Sequence, residues 1–349
     1  MKSVAVISTD WHIDMKNVEL SKNLAAQQIL LAKEVGVGLL ICLGDVFDSK
    51  KAQPEIVLNC FKEILDMIQE AHLNLLCIAG NHDKTNPYSW SSYLKPFTDH
   101  PCFELVEKQK VIQMCGNVCV FQSYIKEQLW VEELQGFLKD AGTKYKGKKM
   151  YLFSHQAMNG SQNNDGSKIE SGINQGLLFP FEKCFFGHYH NAQQPLPNAY
   201  HLGAWKQKNF GEDTHKGFYV LTQDENGGFD FDFHKSSFPE YTTFDVQASE
   251  LTSDYIDKIL ETFKSTSDTN LRLRITGSTD ELKALPYKTF NEAGIKIKTI
   301  DNLEKKMVEE GVQVQDYENE QTLIDAFKEF CEEKEFSFEE GLTYLKLAL

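Results

Sequence analysis

No stretch of the 349 residues approaches the ~18 consecutive apolar residues that a membrane-spanning helix needs. A helical membrane protein is thereby excluded. The opening segment, MKSVAVISTD, has one lysine and a very short apolar run. It lacks the apolar region and cleavage site of a signal peptide, and reads as a first buried strand. The expected compartment is the cytoplasm, of a bacterium or of an infected host. The eight cysteines lack metal-knuckle spacing: Cys115 and Cys119 are separated by three residues and no second pair follows. Cys42, Cys60, Cys77 and Cys184 lie in apolar runs, as reduced buried thiols do. There is no internal repeat and no low-complexity stretch. With 41% apolar and 25% charged residues, the chain has the composition of a folded globular protein.

Net positive charge is also missing. The formal balance is −15, which argues at first against a polyanionic substrate. The distribution changes this. Residues 301–349 carry 14 acids and 5 lysines, a balance of −9, so the preceding 300 residues hold only −6. The acid excess belongs to the C-terminal segment, and bound cations would add positive charge that the formal count omits.

What is present is alternation. Apolar, strand-like runs at 3–8, 38–43, 73–79, 118–122, 150–153 and 183–186 are interleaved with helical patterns at 17–35 and 54–71. Strand patterns at 200–202, 217–221 and 229–233 close this region. A second unit follows over 238–302. It has a strand at 241–246, a helix at 253–264, an alternating strand at 271–276, a helix at 278–293 and an alternating strand at 295–300. Segment 303–320 is acidic and poorly periodic, a linker pattern, and two helix patterns lie in 321–349.

Five polar motifs sit just past the ends of apolar runs. They are Asp10-Trp11-His12, Gly44-Asp45-Val46-Phe47-Asp48, Gly80-Asn81-His82-Asp83, Ser154-His155 and Gly187-His188-Tyr189-His190. In open α/β sheets the carboxyl edge of the strands is where ligands bind. Each motif alone is weak, since a Gly-Asp pair is usually a turn and a lone histidine usually packs. Five arriving at one edge form a joint signal. Phosphodiester attack needs a hydroxide at neutral pH and neutralisation of the phosphate oxygens, and two cations about 3.5–4 Å apart supply both. Cations that close repel, so a carboxylate must bridge them. Mixed His, Asp and Asn donors suit Mn²⁺, Fe or Zn²⁺ better than Mg²⁺ or Ca²⁺. On extended backbone, Asp-x-His and His-x-His place alternate side chains on one side.

The motif set, spanning about residues 8–190, resembles the calcineurin-like metallophosphoesterase superfamily. Within it the chain looks most like SbcD-type DNA repair and recombination nucleases, including the phage recombination-endonuclease subunits. The features that narrow it are Asp48 in the second motif, Asp83 rather than Glu after His82, and the Gly203-Ala204-Trp205 and Lys216-Gly217-Phe218-Tyr219 segments. The resemblance implies an α/β fold, a two-sheet sandwich flanked by helices, with a small α/β capping domain and a helical tail. It implies one metal on Asp10, His12 and His190, another on Asn81, His155 and His188, and Asp45 as the bridge. His82 would be the non-ligand histidine that protonates the leaving oxygen or stabilises the transition state, oriented by Asp83. Asp48 stays outside the catalytic set. Two Mn²⁺ ions are expected, with Mg²⁺, Fe or Zn²⁺ as substitutes.

The implied domains are a nuclease domain at 1–237, a DNA-binding cap at 238–302, a linker at 303–320 and an ATPase-binding tail at 321–349. DNA would be the substrate and an SbcC-type, SMC-like ATPase the partner. Lys50, Lys51, Lys84, Lys206 and Lys208 lie near motif-bearing loops and could track phosphates. The densest basic run is Lys144, Lys146, Lys148 and Lys149. In helix 54–71 nine apolar residues cover about 200° of the wheel, beyond the roughly 100° a surface helix needs, which predicts a homodimer face. The alternatives are a phosphatase or cyclic-nucleotide phosphodiesterase of the same chemistry, or an inactive scaffold bridging DNA and ATPase.

Overall fold

The computed structural model describes residues 1–163, 166–265, 269–302 and 328. It divides into two compact units, residues 1–241 forming the body of the first.

The first unit holds two six-stranded sheets. Strands in chain order are β1 (Lys2–Ser8), β2 (Leu39–Cys42), β3 (Asn74–Ile78), β4 (Phe103–Val106), β5 (Gln109–Met114), β6 (Asn117–Gln122), β7 (Met150–His155), β8 (Lys183–Gly187), β9 (Gln193–Leu196), β10 (Ala199–His201), β11 (Gly217–Gln223) and β12 (Phe229–Lys235). One sheet has the order β12-β11-β1-β2-β3-β4, the other β5-β6-β7-β8-β10-β9. The β1-β2-β3-β4 and β6-β7-β8 runs are parallel. Parallel strands share one carboxyl edge, and this brings the motif ends together.

Alternation along the strands builds a layered α/β/β/α sandwich. In β1 and β2, Ala5, Ile7 and Ile41 face the second sheet, where they meet Phe121, Phe153 and Phe185. Their neighbours Val6, Leu40 and Cys42 face helices α1 (Val18–Glu34) and α2 (Glu55–Glu70). Behind the second sheet, Trp130 and Leu134 of α3 (Glu127–Lys144) pack on Val120, Leu152 and Phe186. The fold is the expected two-sheet sandwich flanked by helices.

Helix α2 differs from expectation. Of its nine apolar residues, Val57, Cys60, Phe61, Ile64, Leu65 and Ile68 are buried, Leu58 and Met67 are partly buried against the same core, and Ile56 alone is exposed. The wide arc is mostly absorbed by the chain's own core and does not by itself mark a dimer face.

The second unit contains a three-stranded sheet ordered β13 (Glu240–Gln247), β14 (Thr269–Gly277), β15 (Lys296–Asp301), with β14 and β15 parallel. Leu271, Leu273 and Ile275 of β14 pack against Ile256, Ile259 and Leu260 of α4 (Ser253–Ser265) and against Phe290. The single helix expected over 278–293 is two short ones, α5 (Thr279–Lys283) and α6 (Tyr287–Glu292). Pro286 causes the break, because proline lacks an N–H and biases the preceding residue away from the helical region. Linker 303–320 and tail 321–349 lie outside the described residues, Lys328 apart. Among the described residues no helix is long and apolar enough to cross a membrane.

Candidate metal centre

The seven histidine, aspartate and asparagine residues singled out above converge at the carboxyl edge of the two sheets. Backbone wiring places them. Past β1 and β2 the chain runs in parallel: Asp10 N–H donates to Gly44 O (3.0 Å), His12 N–H to Asp45 O (3.0 Å) and Ile13 N–H to Val46 O (2.9 Å). The backbone of Asp10, His12, Asp45 and His188 is left-handed, with φ of 53°, 47°, 53° and 92°. Non-glycine residues there cost of order 1–3 kcal/mol each and persist where the surroundings over-determine them. The turns touch one another. A Cβ on Gly80 would fall 2.2 Å from Asp45 Oδ1, and one on Gly187 would fall 2.2 Å from Thr9 Oγ1 and 2.7 Å from His155 Nδ1. Only glycine fits either position.

Two groups of donor atoms result. In the first, His12 Nε2 and His190 Nε2 are 2.9 Å apart, and Asp10 Oδ1 lies 3.8 Å and 3.9 Å from them. In the second, Asn81 Oδ1 is 3.0 Å from His155 Nε2 and 2.8 Å from His188 Nδ1. Asp45 lies between. Its Oδ1 accepts from His82 N–H (2.7 Å), while Oδ2 is 3.7 Å from His12 Nε2 and 3.3 Å from His155 Nε2.

The donor chemistry fits cations. A carbonyl or carboxylate oxygen only accepts, so contact with one puts the proton on the facing ring nitrogen. His155 Nδ1 faces Leu43 O (2.7 Å) and His190 Nδ1 faces Glu212 Oε1 (2.8 Å). With a proton on that outer nitrogen, each ring turns its Nε2 inward, where a neutral imidazole offers a lone pair. His155 Nε2 then confronts Asn81 Oδ1, another acceptor, and His190 Nε2 confronts His12 Nε2. Such pairs need a proton or a cation between them. Bonds of about 2.1 Å to one cation would set neighbouring donors roughly 3–3.5 Å apart, near the spacings found.

Electrostatics agree. Burial opposes ionisation of Asp10 and Asp45, yet the surrounding histidines hold both well below the carboxylate range. Burial alone would depress His155, but the Asp45 charge outweighs it and pushes the ring up to about 9. Without metal the carboxylates thus hold a proton on His155. His188 is pushed down to about 3, by burial first and then by His155.

Around these groups some residues differ from expectation. Asp83 does not orient His82. Its two oxygens accept from Phe47 N–H (3.0 Å) and Gly80 N–H (2.8 Å), so it clamps the second and third motif loops together. Burial, reinforced by Asp45, raises it to about 6. The ring of His82 is held instead by Asp48, whose carbonyl lies 2.5 Å from Nδ1. Lys84 and Lys206 are not available to phosphate. Both are buried, Lys84 donating to Ser89 O, Trp90 O and Tyr124 O and Lys206 to Trp11 O and His12 O. Burial lowers each to about 8. Lys208 pairs with Asp48, and Lys50 and Lys51 are exposed. The basic run ending at Lys149 precedes β7, and so lies at the opposite end of that strand from His155, roughly 17–20 Å away. Trp11 and Tyr189 pack beneath the centre, Trp11 against Trp205 and Tyr189 against His201.

Three further side chains, Asp48, Glu212 and His201, surround the donors. Asp48 Oδ1 is 3.1 Å from His12 Nδ1, an ion-pair distance without hydrogen-bond alignment. Glu212, with no exposed side-chain surface, accepts from His190. Buried His201 meets Gly187 O through Nδ1 and Ser161 Oγ through Nε2, both at 3.0 Å. The only sequence signal for Glu212 was its place in a loop ending at the same sheet edge.

A family model for calcineurin-like phosphoesterases matches residues 4–192. The chain belongs to that family. As a phosphoesterase it is a hydrolase whose fold implies divalent metal ions, and the gathered donors are candidates to hold them. Exonuclease subunit 1 of Enterobacteria phage T4 is 21% identical over 219 residues, 61% of this chain and 62% of that protein. The chain thus spans about three fifths of that relative's length. A dimetal phosphatase from Danio rerio overlaps with a TM-score of 0.45 at 12% identity, over 63% of this chain and 92% of that one. Nuclease MPE of Pseudomonas putida overlaps with a TM-score of 0.26 at 16% identity, over 42% and 59%. Both overlaps are too loose to bear on function.

Proposed function

We propose that this phosphoesterase is a Mn²⁺-dependent DNA nuclease, cutting phosphodiester bonds with two cations as exonuclease and endonuclease. The reading rests on one observation: Asp45 Oδ2 stands between two donor groups of matching size. In this reading Asp10, His12 and His190 hold one cation, Asn81, His155 and His188 the other, and Asp45 bridges. Cations held there would supply a hydroxide nucleophile at neutral pH and charge neutralisation for the phosphate. His82 is the remaining catalytic candidate. With its proton on Nδ1, facing Asp48 O, its Nε2 would take a proton from solvent water and give it to the leaving oxygen, returning to the neutral ring. Burial depresses this ring to about 4, so it enters the reaction neutral, and a nearby phosphate anion is what would favour the protonated form.

DNA as substrate is supported by the likeness to a protein named as an exonuclease subunit. The small unit adds to it: β14 and β15 carry Arg272, Arg274, Lys296 and Lys298 in register, two rows of cations on one side of the sheet. Asp245 pairs with Arg274 there. Such cations suit a phosphate backbone, which positions a protein without regard to sequence. In the first unit, exposed Lys50 and Lys51 are separate candidates to meet phosphates. An SbcC-type ATPase on tail 321–349 and a homodimer rest on the family resemblance.

The test is Mn²⁺ with labelled duplex DNA, a phosphopeptide and a cyclic nucleotide in parallel. Cleavage of DNA, abolished by chelation and reduced at least tenfold by His82→Ala, is expected. Cleavage of the phosphopeptide or cyclic nucleotide alone would overturn the nuclease reading, and no cleavage of any would favour a scaffold.

A further inference from the structure

The two donor groups are supported unequally. His155, in the second group, is backed by a neutral backbone carbonyl. In the first group both rings have a carboxylate behind them: Asp48 Oδ1 is 3.1 Å from His12 Nδ1, and Glu212 Oε1 is 2.8 Å from His190 Nδ1. A carboxylate hydrogen-bonded to the outer ring nitrogen, as Glu212 is to His190, fixes the ring's orientation and makes its inner nitrogen a stronger donor than a carbonyl does, while Asp48, unaligned with His12, acts on that ring through its charge.

One residue joins the two carboxylates. The Lys208 ammonium pairs with Asp48, and the Lys208 backbone N–H donates to Glu212 Oε2 (3.1 Å). Asn209 Nδ2 adds a bond to Glu212 Oε1 (3.2 Å), and Gln207 Nε2 holds the Glu212 carbonyl (2.8 Å). Lys206, from the same loop, donates to Trp11 O and His12 O. The loop between β10 and β11 therefore grips both ends of the first group. Glu212 has no exposed side-chain surface. It is a buried anion aimed at a ligand-type histidine, more than a loop acid needs to be.

We propose that Glu212 and Asp48, coupled through Lys208, are positioning residues that make Asp10, His12 and His190 the tighter of two unequal metal positions. This rests on the two-metal reading above. The second position, by contrast, fills only at higher metal concentration, so the cation that completes the centre is the exchangeable one. A purely structural Glu212 would affect folding but leave the ratio of the two affinities untouched.

Titration calorimetry with Mn²⁺ on chelator-stripped full-length protein tests this, with a thermal melt of each variant to establish folding. Wild type should bind two ions in two resolved classes. Glu212→Ala should weaken the tighter class roughly 10–100-fold and leave the weaker class within about threefold. Glu212→Gln, which keeps a hydrogen-bond acceptor without the charge, should fall between and remain folded even if the alanine variant does not. Two equal classes in wild type, or a tighter class unmoved in Glu212→Gln and Glu212→Ala, would overturn the proposal while leaving the two-metal reading intact. Fewer than two ions bound by folded wild type would instead sink the two-metal reading itself.

Discussion

Trp205 lies flat on Trp11, ring centroids 4.5 Å apart and planes 8° from parallel, and its indole N–H donates to the Trp11 carbonyl (2.9 Å). The stack joins the first motif to the loop that carries Lys206, Lys208 and Glu212. Both indoles are fully buried. Trp205→Ala should therefore cost about 3–5 kcal/mol of stability, the usual loss for a buried aromatic truncated to alanine. Trp205→Phe should lose less. Urea unfolding midpoints of the three proteins check this, and an alanine variant within about 0.5 kcal/mol of wild type, the range of an ordinary surface substitution, would show the stack to be dispensable.

Asp83 is a loop clamp in this structure, and its variants should behave as such. Asp83→Asn can satisfy at most one of the Phe47 and Gly80 N–H groups, since its NH₂ is itself a donor. A buried donor left unpaired costs about 1–3 kcal/mol. The melting temperature should fall, and residual activity of the still-folded fraction should exceed that of His82→Ala. Loss of activity equal to His82→Ala at unchanged stability would restore Asp83 to a direct role.

His201 makes a pH prediction. Burial depresses its pKa from 6.5 to about 4. A neutral buried histidine contributes stability that is present above the unfolded pKa and lost as pH falls toward the folded one. The window is therefore pH 6.5 down to 4, and the full loss is about 3 kcal/mol at most. In metal-free protein, His201→Gln should start less stable at pH 7.5, for want of the Ser161 and Gly187 contacts, and decline less steeply between pH 7 and 5. Parallel declines in both proteins would assign the acid sensitivity elsewhere.

Gly187 has no room for a side chain. A Cβ there would press on His155 Nδ1, Thr9 Oγ1 and Leu43 O together. Gly187→Ala should displace His155 and cut metal binding even if the sheets still form. Near-normal Mn²⁺ affinity in that variant would mean that the turn can shift at little cost.

Much of this was readable beforehand, for identifiable reasons. Metal-ligand chemistry restricts residue types, so Asp10, Asp45, Asn81 and the histidines stood out at the ends of apolar runs. Parallel strands then had to bring them to one edge. What escaped was long-range or contrary to average behaviour. Lysines are almost never fully buried, so Lys206 and Lys84 read as surface charges, although each is held by backbone carbonyls. Glu212 lies 22 residues beyond His190, and nothing local couples them. The arc of α2 looked unpartnered because periodicity cannot show that a second layer, including Phe97 and Phe103, packs around Phe61. Asp83 follows His82 directly, yet neighbours along a turn diverge, and its carboxylate turned to the backbone instead.

The central claim is that Asp45 bridges two cations. Anomalous diffraction from crystals equilibrated with Mn²⁺ tests it most directly. Two peaks about 3.5–4 Å apart, one beside His12 and His190 and one beside Asn81, His155 and His188, with Asp45 Oδ2 between them, are predicted. A single peak, or a second one at the His12, Asp48 and His82 cluster, would contradict it.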